Sequence, residues 1–204
     1  MEHFITTQIS QHGYLAIFVL MTLESMCIPI PSEAIMGLGG ALTAGVTIAG
    51  VTGRLDIWLV ILLGTFGNLV GSLIAYWVGK SGGHTLVERY GKYALLRHHD
   101  LDKAEAFFAK HGESAVFVSR ILPVVRTFIS FPAGVAEMPM MKFALFTLLG
   151  SLPWAIGLAY AGRALATNWD VVSKVGTPIS IVFVLVIFVV TVRWYLRRRK
   201  NAAA

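Results

Sequence analysis

The residues Glu24-Ser-Met-Cys-Ile-Pro29-Ile-Pro31-Ser-Glu33 interrupt the first apolar region of the chain, which runs from Tyr14 to Gly50. Each proline removes a backbone donor, and a charge at the bilayer centre costs about 2.5–3.5 kcal/mol on membrane-insertion scales. A continuous helix that faces lipid tolerates both poorly. Residues 14–50 are therefore predicted to form a broken, re-entrant hairpin buried in protein, with Pro29 and Pro31 at the break.

A second apolar region, residues 114–137, is interrupted in the same way. Arg120 and Arg126 fall where membrane depth is expected, and Pro123 and Pro132 break the run. Because the same costs apply, this region is predicted to be a second re-entrant hairpin.

The composition places the chain in a bilayer. Of its 204 residues, 56% are hydrophobic and 14% are charged, whereas a soluble domain has about 45–50% and 25%. The net charge of +6 comes largely from bases at the ends of apolar runs, so nucleic acid is not an expected partner. The single cysteine, Cys27, excludes a disulfide within the chain and a cysteine-based zinc site, and no metal or cofactor is predicted.

Three apolar runs have the length of complete transmembrane helices: Ile57–Val78, Phe143–Ala161 and Pro178–Leu196. Asp100–Gly112 has the pattern of an amphipathic surface helix. The prediction is an all-α polytopic protein that forms one membrane domain over residues 1–204.

An internal repeat organises these segments. His12–Val19 matches His111–Val118 at five of eight positions, and Ala75–Lys80 resembles Ala159–Arg163. The first repeat covers about residues 1–80, the second about residues 100–163, and a helix at 178–196 follows. Since one complete crossing separates the two hairpins, the repeats are predicted to be inverted, with the hairpins facing each other, as in many secondary transporters.

The distribution of basic residues predicts the orientation. Basic residues are frequent in the middle loop, residues 80–113, and in the C-terminal cluster at 197–200, whereas Gly50–Asp56 and Gly162–Thr177 have few. The positive-inside rule places the middle loop and the C-terminus in the cytoplasm.

Four ionisable residues fall within the hairpins: Glu24 and Glu33 in the first, Arg120 and Arg126 in the second. Charges at membrane depth indicate a functional site, with structural ion pairing as the alternative. Two carboxylates from one hairpin are expected to meet two guanidinium groups from the other. Ser32 is predicted to cap the helix that follows Pro31, and the open N-terminus of such a helix attracts anions.

These residue types predict distinct roles. Arginine binds phosphate in bidentate fashion, so Arg120 and Arg126, with Ser32 and Glu33, are the predicted substrate-binding residues for an anionic lipid head group. Glu24 and Glu33 are the predicted proton-coupling or gating residues, with protons as a second partner. Asn68 is a candidate for lining the cavity, although the glycines around it also fit close helix packing.

The combination of these motifs resembles a known family. Glu24 with Pro29-Ile-Pro31-Ser-Glu33, Gly67-Asn-Leu-Val-Gly71, and Ser119-Arg-Ile-Leu-Pro123-Val-Val-Arg126 is similar to the DedA family of bacterial inner-membrane proteins, which is related to the eukaryotic VTT-domain lipid scramblases. The resemblance covers about Gly13 to Arg163. It implies two facing re-entrant hairpins and movement of lipids across the membrane.

The resemblance also implies a substrate and site residues. The lipid would be undecaprenyl phosphate, returned to the inner leaflet, or phosphatidylethanolamine, with dependence on the proton motive force. The family's essential acidic positions fall on Glu24 and Glu33, and its essential arginines on Arg120 and Arg126. Where many members have an acidic residue, this chain has Asn68, which puts a proton role there in doubt.

Other functions use the same residues. A passive lipid scramblase and a small-ion or proton antiporter both fit buried charges, and the sequence leaves a homo-oligomer open. A membrane phosphatase is disfavoured because Ser119-Arg120 is followed by Arg126 where a phosphatase signature has histidine, and the chain has no Pro-Ser-Gly-His segment. The chain is therefore predicted not to be an enzyme.

Overall fold

The computed structural model describes residues 2–26, 28, 30–48, 51–52, 55–94, 115–120 and 125–168. Several predictions lie outside these residues: the breaks at Pro29 and Pro123, the surface helix Asp100–Gly112 and the transmembrane helix Pro178–Leu196.

The described residues are almost entirely helical. The helices are α1 (Glu2–His12), α2 (Tyr14–Ser25), α3 (Ser32–Leu42), α4 (Ile57–Ala94), α5 (residues 115–120), α6 (Val125–Phe128), α7 (Ser130–Val135) and α8 (Met140–Ala164), and a 3-10 turn follows (Ala166–Asn168). Two short strands, β1 (Thr47–Ile48) and β2 (Val51–Thr52), pair antiparallel between α3 and α4.

Two helices among the described residues are long and apolar enough to cross a membrane, Ile57–Gly82 within α4 and Met140–Ala164. The Asp56 side chain caps the start of α4 by accepting from the backbone of Trp58 at 2.8 Å and Leu59 at 3.1 Å. Both helices were predicted. The expected loop from residue 80 is wrong at its start, because α4 continues to Ala94: the end of an apolar run marks a membrane boundary rather than the end of a helix.

The first predicted hairpin contains two helices with an interruption between them. α2 ends at Ser25 and α3 begins at Ser32, with Pro31 at the N-cap position in an extended conformation. The expected Ser32 cap differs from the structure, since Ser32 is the first helical residue and no side chain caps α3. Pro31 occupies the N-cap position that was predicted for Ser32, so α3 begins one residue earlier than predicted.

In the second predicted hairpin, the described residues are helical at 115–120 (α5), in α6 and in α7. Pro132 lies in the first turn of α7, where a backbone N–H has no helical partner, so the helix accommodates it. α8 likewise continues through Pro153, as the sequence predicted.

Glycines bring the helices of the two halves into backbone contact. A methyl group added at Gly40 would meet the Ala159 carbonyl, and one added at Gly162 would meet the Gly37 carbonyl. α3 and α8 therefore pack with no side chains between their backbones at this point.

α4 and α7 make the corresponding contact. Gly134 faces the Tyr76 carbonyl and Gly79 faces the Phe131 carbonyl. Gly79 aligns with Gly162 in the sequence repeat, so the two halves use equivalent positions to hold the other half's hairpin.

A third pair of contacts follows the repeat. Gly67 of α4 faces the Phe18 carbonyl of α2, and Gly150 of α8 faces the Phe117 carbonyl of α5. Phe18 and Phe117 occupy equivalent positions of the repeat. The helices thus form a first helix group (α2, α4 and α7) and a second helix group (α3, α5 and α8), each with close backbone contacts inside it.

The surface between the two groups is filled by side chains. Met36 of α3 lies against Gly64 of α4, and Ile17 and Val60 lie against Gly39 of α3. These residues, except the glycines, belong to the main apolar core, which α1 covers with Ile5 and Ile9. This interface determines where the polar site lies.

Candidate functional site

A buried ion pair joins the two predicted hairpins. Nη2 of Arg126 lies 3.1 Å from Oε1 of Glu24, and the two residues are 3% and 4% exposed. Glu24 is in the last turn of α2 and Arg126 is in α6, 102 positions further along the chain. A charge at membrane depth is tolerated when it is paired, so each residue compensates for the burial of the other.

Hydrogen bonds extend the ion pair to α4. The Ser25 hydroxyl donates to Oε2 of Glu24 at 2.9 Å, and Nδ2 of Asn68 donates to the Ser25 oxygen at 2.8 Å. Because the single Ser25 proton is directed to the carboxylate, Ser25 needs a donor from Asn68, which fixes the orientation of the amide. Oδ1 of Asn68 is then turned away from Ser25, and it is buried without a hydrogen-bond partner.

Arg120 has different surroundings from Arg126. Its Nη1 donates to the Ser72 hydroxyl at 3.1 Å and to the Arg126 carbonyl at 2.8 Å. Its Nη2 donates to the hydroxyls of Ser130 and Thr147, both at 3.1 Å. With four bonds to α4, α6, α7 and α8, Arg120 connects the helices and fixes the backbone of Arg126.

The Arg120 side chain also packs against apolar neighbours. Its guanidinium lies 5.7 Å from the ring centre of Phe143, and a methyl group at Gly150 would collide with its Cβ. Arg120 is 1% exposed, and protein oxygens accept from its two terminal nitrogens, whereas its buried Nε has no hydrogen-bond partner. Among the described residues Arg120 forms no ion pair with a carboxylate, whereas the sequence predicted a pairing of two acids with two arginines.

Trp154 covers Arg126 on the side of α8. The guanidinium carbon of Arg126 lies 5.3 Å from the centre of the indole ring, within the range of a cation–π interaction. Nε1 of Trp154 is buried and has no hydrogen-bond partner. Trp154 is not among the site residues predicted from the sequence, and the structure places it beside the buried charge.

A small cavity, about the size of one water molecule, lies beside Arg126. Its walls come from the first helix group and α6 on one side and from the second helix group on the other: Met21, Gly64, Thr65, Asn68 and Arg126 face Met36, Ser151, Trp154 and Ala155. The cavity therefore lies between the two groups.

The structure brings some of the predicted site residues together and leaves others apart. Glu24, Arg126 and Asn68 are joined by hydrogen bonds, and Arg120 is bonded to the Arg126 backbone. Glu33, in the first turn of α3, is exposed, and it takes no part in the described ion pair. Ser32 is buried at the start of α3 and does not line the cavity.

Sequence reasoning missed the neutral partners of the charges. Ser25, Ser130 and Thr147 all bond to the charged residues, and each is 0% exposed. A hydroxyl within an apolar segment was the available signal, because such a group needs a partner at membrane depth. No group of metal-ligating side chains occurs among the described residues.

Comparison with known proteins identifies a family and relatives that match most of the chain. The VTT-domain family matches residues 30–164. Undecaprenyl phosphate transporter A of Bacillus subtilis (strain 168) is 35% identical over 96% of this chain and 93% of its own length. An alkaline phosphatase-like protein of Lactococcus lactis subsp. lactis (strain IL1403) is 33% identical over 98% of this chain and 97% of its own.

A second transporter relative matches at similar strength. Undecaprenyl phosphate transporter A of Staphylococcus aureus (strain NCTC 8325 / PS 47) is 32% identical over 98% of this chain and 99% of its own. No solved structure matches the chain significantly.

The family match covers α3 to α8, which carry most of the polar cluster, and the relatives cover nearly the whole chain. The resemblance to DedA proteins is thereby confirmed. The chain belongs to the VTT-domain family and is a membrane protein.

Proposed function

We propose that this chain is a transporter that moves undecaprenyl phosphate across the bacterial inner membrane in a cycle coupled to protons. The observation that carries the proposal is the buried pair of Glu24 and Arg126 at the interface of the two helix groups. The names of the Bacillus subtilis and Staphylococcus aureus relatives support this choice of substrate.

Arg126 supplies the charge for the head group. A lipid phosphate cannot cross the apolar core alone, because a charge there is expensive. A guanidinium at membrane depth offers a counter-charge and a fork of donors that matches phosphate oxygens. The lipid tail stays in the bilayer while the head group exchanges places with the Glu24 carboxylate on Arg126.

Glu24 supplies the coupling. When phosphate takes Arg126, the carboxylate loses its counter-charge in a region where an unpaired charge is unfavourable. Binding a proton removes that cost. Head-group binding and proton uptake are therefore linked at one residue, with Ser25 and Asn68 holding the carboxylate in place.

The site as described is closed. The cavity is too small for a phosphate group, so transport requires the two helix groups to separate. Inverted, facing hairpins provide a physical route: the same separation repeated from the opposite side exposes the head group to the other leaflet. The equivalent glycine contacts in the two halves support this arrangement.

A phosphatase function has less support. One relative is named alkaline phosphatase-like, but this chain has no Pro-Ser-Gly-His segment. The Ser119 hydroxyl donates to the Val116 carbonyl at 2.6 Å, within its own helix, and no base activates it in the described part of the chain.

Reconstitution tests the proposal. Proteoliposomes with fluorescent polyprenyl phosphate are expected to move the lipid between leaflets, and Arg126→Gln should lower the rate at least tenfold because the counter-charge is gone. Arg163→Gln, an exposed arginine in the last turn of α8, is the matched control and should leave the rate unchanged.

Three results would contradict the proposal. Normal transport by Arg126→Gln would remove the head-group role. A net flux that does not change with an imposed pH gradient would show that the protein is a passive scramblase and not a proton-coupled transporter. Faster movement of phosphatidylethanolamine than of polyprenyl phosphate would show that phosphatidylethanolamine is the preferred substrate.

A further inference from the structure

Two of the residues that line the cavity beside Arg126 carry an unpaired polar atom, and the two atoms are of opposite kind. Oδ1 of Asn68 can only accept a hydrogen bond, and Nε1–H of Trp154 can only donate one. Both atoms are buried, and both residues line the cavity. A buried polar group without a partner is unfavourable, so a ligand that pairs both atoms would be stabilised by both.

The two atoms define the ligand that would satisfy them. Trp154 needs an acceptor, and the neighbouring Arg126 charge favours an anionic oxygen, whereas Asn68 needs a donor such as a hydroxyl. A singly protonated phosphate monoester carries both groups, P–O⁻ and P–OH. A phosphate diester carries the same single charge but has no hydroxyl to offer Asn68.

We infer that Trp154 and Asn68 are head-group-binding residues, and that together with Arg126 they select a singly protonated phosphate monoester over a diester. The inference rests on the proposed function and deepens it, since it assigns the substrate class to a donor and an acceptor of this chain. Trp154 has two tasks: its ring holds Arg126 and its N–H binds a phosphate oxygen.

The orientation of Asn68 is essential to the selection. The Ser25 hydroxyl donates to Glu24, so Asn68 must present Nδ2 to Ser25, and its Oδ1 is left free to accept from a ligand. If the amide were reversed, its carbonyl would face a hydroxyl whose proton is already used. The hydrogen bond from Ser25 to Glu24 thus fixes the acceptor that distinguishes the two phosphate classes.

Side chains can supply part of the widening that the closed cavity needs, in addition to the separation of the helix groups. Met21 and Met36 form part of its wall, and methionine side chains adapt readily to new shapes. Met36 also fills the space above Gly64 with its sulfur atom, so a rotation of this side chain enlarges the cavity next to Asn68.

Binding measurements on the purified full chain in nanodiscs test the inference. The probes are farnesyl monophosphate, its monomethyl ester and inorganic phosphate, all at pH 5.5, where a phosphate with a second pKa near 6 is mostly singly charged. The wild-type chain should bind the monophosphate about tenfold more tightly than the methyl ester, as one hydrogen bond to a charged group predicts. Inorganic phosphate should compete weakly, because it lacks the tail.

Two variants separate the two roles. Trp154→Phe keeps the ring over Arg126 and removes the donor, so it should weaken binding of both esters about tenfold. Asn68→Leu removes the acceptor, so it should abolish the preference for the monophosphate. Trp77→Phe, a change at an exposed tryptophan of α4, is the control.

Other results would overturn either the proposed function or this inference alone. If the wild type binds neither ester, the proposed function fails as well. If it binds the monophosphate and the variants keep the wild-type affinities and preference, only this inference is overturned, and the two atoms hold a resident water. Inorganic phosphate binding as tightly as farnesyl monophosphate would overturn the assignment to a lipid head group.

Discussion

Arg120 and Arg126 have the same charge and nearly the same burial, but their partners differ. Arg120 has four hydrogen bonds to neutral oxygens, whereas Arg126 has a carboxylate, an aromatic ring and a cavity. The four terminal N–H groups of Arg120 are already bonded, and only its Nε has no hydrogen-bond partner. A guanidinium in this state is poorly suited to bind a ligand through its terminal nitrogens, because binding would first break those bonds. We therefore assign Arg120 a positioning role and Arg126 a binding role.

Replacement of Arg120 should affect stability more than replacement of an exposed arginine. Arg120→Lys cannot reach four acceptors with one ammonium group, so we expect a loss of at least about 2 kcal/mol of unfolding free energy. Thermal unfolding in detergent measures it, and Arg163→Lys is the control. Equal melting temperatures for the two variants would show that the Arg120 bonds contribute no stability.

A double mutant separates structural from functional pairing at Glu24. Glu24→Gln alone leaves Arg126 charged and unpaired, which should cost about 3–5 kcal/mol. Glu24→Gln with Arg126→Gln removes both charges, so thermal unfolding should show partial recovery of stability while transport stays absent. Recovery of transport in the double mutant would contradict the functional role, and additive losses of stability would contradict the pairing.

At the scale of elements, the glycine contacts explain how short, interrupted helices are held. α7 has six residues and α3 has eleven, too few to be stable alone, and each packs its backbone against a long helix of the other half. The close approach increases dispersion contacts where lipid provides no hydrophobic driving force. The hairpins therefore depend on tertiary packing rather than on helix propensity.

Substitutions of glycine in α8 test this dependence. In Gly162→Ala the new methyl group would collide with the Gly37 carbonyl, and we expect a loss of about 1–3 kcal/mol from overpacking. Gly157, on the same helix, has open space around it, so Gly157→Ala should be neutral or stabilising by about 0.5–1 kcal/mol. Equal effects of the two changes on thermal unfolding would contradict the close contact of α3 and α8.

At the scale of the whole molecule, the sequence predicted where the helical segments lie better than it predicted which residues are in contact. Prolines and charges in apolar runs mark interruptions because their costs are local, and both regions contain broken helices. The choice of Glu24 over Glu33 as the partner of Arg126 was not predictable, since it depends on how α2 and α3 rotate against the other half. The position of Trp154 was missed for the same reason.

The predicted orientation can be measured by labelling. In a Cys27→Ser background, Ala44→Cys lies in the exposed turn after α3 and Lys80→Cys lies near the end of the apolar part of α4. We expect an impermeant maleimide to label position 44 in intact spheroplasts and position 80 only after permeabilisation. The reverse pattern would invert the topology derived from the basic residues.

Different groups lie on the two sides of the cavity along α4, and the difference predicts which step of transport is slow. Along α4, Gly64 beneath Met36 precedes Asn68 by one turn, and Ser72 bound to Arg120 follows it by one turn, about 6 Å on either side. One barrier is a rotatable thioether and the other is a set of four hydrogen bonds. In the predicted orientation, loading from the outer leaflet should be fast, and release past Arg120 to the inner leaflet should limit turnover, so that the occupied carrier accumulates.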